Sequence, residues 1–233
     1  MLELFPQGFE EIDRSDGVEL VAYTDPGGEE RLWHAFGAAT ARDVPAGWEE
    51  RWRDFHKPVQ VAQLWIGPPW IEPPADAATV VIDPGRAFGT GAHPTTRLVL
   101  ELLATLERGS VIDVGCGSGV LAIGASKLGF APVFAVDVDE NAIEATTSNA
   151  RANGVELSVV RGDALSESLP TADVAVVNVT RGVAQSVAAR LSCTSLVTSG
   201  YLLSEDVTLD GYRHVERISD QGWAADVYRR EPG

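Results

Sequence analysis

The sequence contains little positive charge. Its 233 residues include 18 Lys and Arg against 34 Asp and Glu, a net charge of −16. A surface of this sign repels phosphate backbones, which disfavours direct binding of nucleic acid. The excess is spread along the chain, since 15 acids and 6 bases give −9 in residues 1–78, and 19 acids and 12 bases give −7 in residues 79–233. It either attracts a basic protein partner or only keeps the chain soluble.

Cysteines, long apolar runs and clustered metal ligands are also scarce. Cys116 and Cys193 are too far apart in sequence to suggest a disulfide framework, so we expect reduced thiols in a cytoplasmic protein. No apolar run approaches the ~18 residues of a membrane span. The start, MLELFPQGFEE, lacks the basic and apolar regions of a signal peptide. The four histidines are scattered, so we expect no metal site.

The front third of the chain combines short alternating segments with prolines. Residues 1–44 predict a small β-rich unit. Trp48, Trp52 and Phe55 recur at i, i+4 and i+7, which predicts a helix with one aromatic packing face. The stretch PPWIEPPADA then has four prolines in ten residues, which predicts a stiff linker. We therefore expect a small unit with its linker helix over residues 1–60, a proline-rich linker over 61–78 and a larger domain over 79–233.

From Thr79 onward, runs rich in β-branched residues alternate with helical segments. The runs are Val111–Val114, Val133–Val136, Leu157–Val160, Val174–Val177 and Leu196–Thr198, and the first four are separated by 18, 20 and 13 residues. Strand, crossover helix and parallel strand is the arrangement that such spacing favours, so we expect an open, doubly wound α/β sheet. Segments near Arg213–Ile218 and Ala224–Arg229 predict a closing antiparallel hairpin.

A glycine-rich turn, Asp113-Val114-Gly115-Cys116-Gly117-Ser118-Gly119, follows the first strand and precedes the helical run Val120–Leu128. Glycines let such a turn approach a ligand closely and leave backbone N–H groups free at a helix N-terminus. The dinucleotide fingerprint needs a further glycine where this chain has Val120. Asp113 can organise the turn and face a positively charged ligand tail.

Polar residues also follow the next three strands. Asp137 lies 22 residues after Gly115, where a carboxylate can accept hydrogen bonds from both hydroxyls of a ribose. Asp163 can accept from an adenine amino group, or it is a turn residue that caps the next segment. Asn178 lies at the edge where such sheets bind ligands. It can contact a cofactor, hold an incoming amine, or only form a turn.

The segment from Asp83 to Thr96 contains three glycines and two prolines in fourteen residues, which predicts a shaped loop. The helical stretch Arg97–Leu106 follows it. Thr95 and Thr96 then lie near the start of that helix, where hydroxyl groups cap the helix or contact ligands.

Together these motifs resemble one family, the bacterial ribosomal protein methyltransferase A, which methylates the eleventh protein of the large ribosomal subunit. The matching segments are DPGRAFGTGAHPTT, VIDVGCGSGVLAIGASKLG, AVDVDENAIEATTSNARANGV, VVNV and WEERWRDFHKPVQVAQLWIGPPW. The resemblance implies a class I (Rossmann-like) methyltransferase fold: a seven-stranded, mostly parallel sheet with a C-terminal antiparallel hairpin, plus a small α+β N-terminal unit. It also implies that residues 79–233 bind S-adenosyl-L-methionine and that residues 1–60 recognise the substrate.

By the same resemblance, Thr96, Gly115, Asp137 and Asn178 correspond to cofactor-contacting positions, and Phe88 and the loop 89–91 lie over the methyl donor. The candidate catalytic residues are therefore Asn178, Phe88 and Thr90. The candidate cofactor-binding residues are Thr96, Asp113, Gly115, Gly117, Gly119, Asp137, Asp163 and Asn178. The implied reaction is methyl transfer to lysine or α-amino groups of a basic ribosomal protein. No general base is evident, so we expect positioning to supply most of the rate.

Two features depart from the family pattern. Family members begin with an extra strand and helix before the segment that matches LELFPQGFEE, so we expect a shortened recognition unit. Only SEDVTLDGYR separates the strand at Leu196–Thr198 from the hairpin, where family members have a helix. The alternatives are the same fold and cofactor with another protein or small-molecule acceptor, or a cofactor-binding scaffold without catalysis. We expect the protein to be a monomer.

The fourth strand argues against one further class of acceptor. Nucleic-acid and glutamine amino methyltransferases commonly have Asn-Pro-Pro-aromatic at this position. This chain has Asn178-Val179-Thr180-Arg181, which disfavours both of those substrates.

Overall fold

A computed structural model describes residues 10–14, 17–21, 32, 35–36, 40, 56–83 and 89–231. The chain divides into two units, Met1–Asp54 and Phe55–Gly233. In the first unit, β1 (Glu10–Arg14) and β2 (Gly17–Val21) pair antiparallel, in line with the β-rich segment expected there. The aromatic stripe of Trp48, Trp52 and Phe55 lies outside the described residues.

A seven-stranded sheet forms the centre of the second unit. Its strands are β6 (Val111–Val114), β7 (Val133–Asp137), β8 (Ser158–Arg161), β9 (Val174–Asn178), β10 (Ser195–Leu202), β11 (Tyr212–Asp220) and β12 (Trp223–Arg230). Their order in the sheet is β11-β12-β10-β9-β6-β7-β8. Strands β6 to β10 are parallel, and β12 pairs antiparallel with β10 and β11. The predicted class I fold and its closing hairpin are confirmed.

Within the described residues, four helices cover the two faces of this sheet: α1 (Pro94–Thr105), α2 (Val120–Lys127), α3 (Glu140–Asn153) and α4 (Arg181–Ala188). Alternate residues of β9 enter two separate buried clusters, which include α1, α2 and α3 on one face and α4 on the other. Burial on both faces explains why the central strands are continuous apolar runs. In the part of the chain that is described, no helix is long and apolar enough to cross a membrane.

A second, three-stranded sheet corrects the expected linker over residues 61–78. Strand β3 (Val59–Val61) pairs antiparallel with β4 (Leu64–Gly67), and β5 (Ala78–Val81) pairs parallel with β4. Apolar side chains of these strands are buried, among them Val61, Leu64 and Ile66, and the prolines only connect β4 to β5. The compact unit therefore begins at Phe55 instead of near residue 79.

The connection between β10 and β11 is short and non-helical throughout residues 203–211. It still covers the sheet, because Val207 and Leu209 are buried and Tyr228 Oη donates to Val207 O at 2.8 Å. The absence of a helix here agrees with the spacing of SEDVTLDGYR. This edge of the sheet is therefore packed without a helix in residues 203–211.

The hairpin is held by Asp226, a carboxylate on β12 whose side chain is 0% exposed. Arg217 donates to it through Nε at 2.8 Å and Nη2 at 2.9 Å, Tyr201 Oη donates at 2.7 Å, and His214 Nε2 lies 2.7 Å from Oδ1. Burial by itself would raise the pKa of Asp226. The hydrogen bonds from Arg217, Tyr201 and His214 outweigh burial, so the pKa lies below its usual value.

We expect Asp226→Asn to lower the free energy of unfolding by about 3 kcal/mol, because it leaves Arg217 without its buried partner. The pKa is lowered on folding, so this stabilisation is present above the unfolded-state pKa of ~3.9 and is lost as the pH falls through the folded-state value. Urea denaturation at pH 7 measures the loss.

The matched control is Glu140→Gln. Glu140 accepts from Arg161 at 2.6 Å but is 67% exposed, and exposed pairs contribute about 0.5 kcal/mol. Equal losses in the two variants would contradict the role given to burial.

Candidate functional site

The glycine-rich turn lies between β6 and α2, at the carboxyl edge of the large sheet. Gly115 and Gly119 have φ of 78° and 81°, a region that side-chain-bearing residues rarely adopt. A Cβ on Gly119 would lie 2.9 Å from the Thr146 side chain, so only glycine fits there. Gly115 is exposed. The turn therefore presents bare backbone at the start of a helix, as a nucleotide-binding turn requires.

Asp137, the last residue of β7, contacts this turn directly. Its Oδ2 accepts from Gly117 N at 3.0 Å, and its Oδ1 accepts from Asp139 N at 3.0 Å. The parallel register of β6 and β7, with Val114 opposite Val136, sets this separation. Asp137 is half-buried, so part of its carboxylate stays accessible to a ligand.

Asn178 ends β9 on the other side of β6. The order of the sheet reverses between β6 and β9, the switch point at which such sheets bind ligands. Asn178 Nδ2 donates to Thr95 Oγ1 in α1 at 3.3 Å. Thr96, the next residue of α1, is buried, and the backbone N–H of Thr96 donates to His93 O at 3.1 Å. The start of α1, the end of β9 and the glycine turn thus meet at one edge.

For three other predicted site residues, Phe88, Thr90 and Asp163, the structure gives no hydrogen bond with the glycine turn, Asp137 or Asn178 among the described residues. Phe88 lies outside the described residues, and Thr90 is half-buried beside a small cavity. Asp163 forms a turn of its own, where Oδ1 accepts from Leu165 N and Oδ2 from Ser166 Oγ, both at 2.9 Å. These two bonds lower the pKa of Asp163. The structure shows the turn role that the sequence left as an alternative, and the adenine contact stays a prediction.

Helix α3 contributes a buried polar face that the sequence analysis missed. Thr146 Oγ1 donates to Gly117 O at 2.9 Å. Asn149 Nδ2 donates to Ser118 O at 2.9 Å, and its Oδ1 accepts from Asp83 N at 3.1 Å. Thr146 and Asn149 are only 0% and 3% exposed. Buried amides that make such bonds hold their partners firmly, because leaving one bond unmade is costly.

The same face of α3 continues to Asn153, which exchanges two hydrogen bonds with the backbone of Val81, at 2.7 and 2.6 Å. Ser118 Oγ in turn donates to Gly89 O. The glycine turn, β5 and the loop around Gly89 are therefore fixed to one helix. Thr146, Asn149 and Asn153 lie at i, i+3 and i+7 of the helix. This spacing puts polar residues on one face, and it was the sequence signal that could have indicated these contacts.

The sequence profile described as "Ribosomal protein L11 methyltransferase (PrmA)" matches residues 29–231. The chain belongs to this family. The resemblance stated from the motifs is thereby confirmed. Thr96, Gly115, Asp137 and Asn178, the positions that the resemblance singled out, lie at or beside the edge described above.

Similar proteins support the assignment. The ribosomal protein L11 methyltransferases of Legionella pneumophila (strain Lens) and Vibrio campbellii are 38% and 40% identical over 198 and 202 residues. These matches cover 78% and 80% of this chain and 68% of each relative. A crystal structure of ribosomal protein L11 methylase from Lactobacillus delbrueckii subsp. bulgaricus matches with a TM-score of 0.63 and 25% identity, over 75% of this chain and 99% of that one.

Asp113 lies in β6 beneath the glycine turn and is almost fully buried. Its Oδ2 accepts from Ala122 N at 3.1 Å, while Oδ1 has no hydrogen-bond donor among the described residues. Burial raises the pKa of Asp113 to about 7; the bond from Ala122 opposes this shift, and the charge of Asp137 adds to it. The protein thus keeps an incompletely satisfied carboxyl group below the turn.

We expect Asp113→Asn to remove a pH dependence of stability. The carboxyl titrates near ~3.9 when unfolded and at about 7 when folded. The folded state therefore binds more protons in between, and the wild-type free energy of unfolding falls as the pH rises from 4 to 7. Urea unfolding of both proteins at pH 5 and pH 8 measures the difference. Exposed Asp76→Asn is the control, and parallel wild-type and Asp113→Asn curves would refute the shift.

Proposed function

We propose that this protein transfers methyl groups from S-adenosyl-L-methionine to lysine or α-amino groups of ribosomal protein L11. The observation that carries the proposal is the convergence of three strand ends, at Gly115, Asp137 and Asn178, in a chain of this family. The names of the Legionella and Vibrio relatives support L11 as the acceptor. An acceptor of this kind implies a cytoplasmic site of action.

The residues at this edge fit S-adenosyl-L-methionine. The exposed backbone of Gly115 allows close approach of a ligand, and the half-buried carboxylate of Asp137 suits two ribose hydroxyls. The unsatisfied Oδ1 of Asp113 lies where a positive charge above the turn would stabilise the ionised carboxyl group. When bound, the cofactor supplies an electrophilic methyl group on a sulfonium.

The contribution of the chain to the transfer is to orient and desolvate the acceptor amine. A lysine has an unperturbed pKa of ~10.4 and must lose a proton before it attacks. Because Nδ2 of Asn178 is bonded to Thr95, Oδ1 is the atom of that amide that can accept from the amine N–H. Phe88 and Thr90 belong to the loop over the methyl donor in this proposal. Positioning then supplies most of the rate.

Asp137→Ala should weaken S-adenosyl-L-methionine binding at least about tenfold, because hydrogen bonds to a charged group contribute ~1.5–3 kcal/mol each and two are lost. Titration calorimetry gives the affinity, and a thermal melt checks that the variant is folded. Asp76→Asn, on the exposed connection between β4 and β5, should bind as the wild type does. Wild-type affinity in folded Asp137→Ala would show that Asp137 does not hold the ribose.

The acceptor is tested with purified ribosomal protein L11 and methyl-labelled cofactor, followed by mass spectrometry. We propose residues 1–60 as the recognition unit. Since β3 begins at Val59, the deletion that leaves the second unit whole removes residues 1–54. It should abolish methylation of L11 while cofactor binding stays measurable. Methylation by the full chain should also slow as salt rises, because charge steers association.

Two other results of the methylation experiment would contradict parts of this proposal. Normal methylation of L11 by the deletion variant would exclude the front segment as the recognition unit. Cofactor binding by the full chain without methylation of L11 would favour another acceptor or a non-catalytic scaffold. A search for labelled protein in a cell lysate then separates those two.

A further inference from the structure

His93 precedes α1 and lies beside the candidate amide. Its Nδ1 is 2.8 Å from Thr95 Oγ1 and also accepts from the backbone N–H of Thr95 at 3.4 Å. A backbone N–H can only donate, so Nδ1 is an acceptor and the proton of the neutral ring is assigned to Nε2. The Thr95 hydroxyl therefore donates to Nδ1.

The direction of this bond determines how Asn178 is held. With its proton directed at His93, Thr95 Oγ1 offers a lone pair, and Asn178 Nδ2 donates to it at 3.3 Å. None of the described residues donates to Asn178 Oδ1. Without His93 Nδ1 as an acceptor, the Thr95 hydroxyl could rotate toward Asn178. It could then donate to Asn178 Oδ1 in the flipped amide as readily as it accepts from Nδ2 in the present one, so the amide would no longer have a single preferred orientation.

A second element fixes the imidazole ring. His93 packs edge-to-face against Trp223 of β12, with ring centroids 4.9 Å apart and planes at 69°. Burial lowers the pKa of His93, and the charge of Arg97 lowers it further. Arg97 is itself paired with Asp220 at the end of β11. The ring therefore stays neutral near pH 7, and Nδ1 keeps the lone pair that the contact with Thr95 requires.

We propose that His93 is a positioning residue for methyl transfer, which acts through Thr95 to fix the orientation in which Asn178 presents Oδ1 to the acceptor amine. This inference rests on the proposed function. It gives the hairpin a role in the site, since β12 supplies the aromatic surface that holds the ring. We call this chain of hydrogen bonds, from His93 Nδ1 through Thr95 Oγ1 to Asn178 Nδ2, the His93 relay.

The test separates the ring of His93 from its Nδ1 atom. His93→Phe retains an aromatic edge against Trp223 but removes the acceptor, so kcat should fall about tenfold, the equivalent of one hydrogen bond. KM for both substrates should change by less than about twofold, because the variant alters orientation and not binding. His93→Asn restores an oxygen acceptor at a helix N-cap and should recover most of kcat.

Thr95→Val tests the middle of the relay. It should resemble His93→Phe, and the double variant should be no slower than either single one, because all three interrupt the same chain of bonds. Thr105→Val is the matched control: Thr105 lies at the other end of α1 and donates only to Leu102 O at 2.8 Å. Its kcat should equal that of the wild type.

Nitrogen-15 NMR of the ligand-free protein tests the relay without any acceptor. We expect Nδ1 of His93 to give the signal of an unprotonated ring nitrogen. The side-chain amide signals of Asn178, identified by their loss in Asn178→Asp, should shift in His93→Phe and Thr95→Val but not in Thr105→Val. A protonated Nδ1 or unshifted amide signals would overturn the relay, even if the wild type proves not to methylate L11.

The kinetic outcomes are equally decisive. His93→Asn as slow as His93→Phe, or rates that only follow the thermal stability of each variant, would make His93 a structural residue. A wild type that does not methylate L11 would instead refute the proposed function, and the NMR result would still decide the relay.

Discussion

The candidate site depends on the parallel pairing of β6 with β7 on one side and with β9 on the other. Parallel neighbours end at the same edge of a sheet, so residues that follow these strands meet although 22 and 41 positions separate Gly115, Asp137 and Asn178. The strands are buried on both faces, and a shift of register by one residue would move every side chain to the opposite face, where it would not fit its neighbours. The forces that stabilise the sheet therefore also set the geometry of the site.

Strand ends alone do not hold the loops that complete this edge. Helix α3 does so with side chains that satisfy backbone groups of the glycine turn and of β5, through Thr146, Asn149 and Asn153. Each of these bonds is buried or partly buried, where an unmade hydrogen bond costs more than a made one contributes. The positions of the glycine turn and of β5 are thus coupled to the packing of one helix.

Two buried carboxyl groups, those of Asp226 and Asp113, have pKa values shifted in opposite directions by their surroundings. Asp226 is surrounded by Arg217, His214 and Tyr201, and these donors keep its pKa low. Asp113 has one hydrogen-bond donor in the described part of the chain, Ala122 N, and its pKa rises to about 7. Asp226 stabilises the hairpin through the hydrogen bonds that it accepts. The Asp113 carboxyl group costs stability at neutral pH, and we propose that it is retained for a ligand.

The sequence alone determined the parallel core, the closing hairpin, the family and the strand-end residues, because buried central strands are continuous apolar runs and ligand-facing residues directly follow them. It did not predict strands β3 and β4, because the four prolines that follow them suggested a linker over residues 61–78. Only the tertiary structure decided the polar face of α3 and the contact of His93 with Thr95, Asn178 and Trp223. The i, i+3 and i+7 spacing of Thr146, Asn149 and Asn153 indicates a polar stripe but not its partners, because the contacts join positions up to 130 residues apart and packing over such distances leaves no local spacing between the partners.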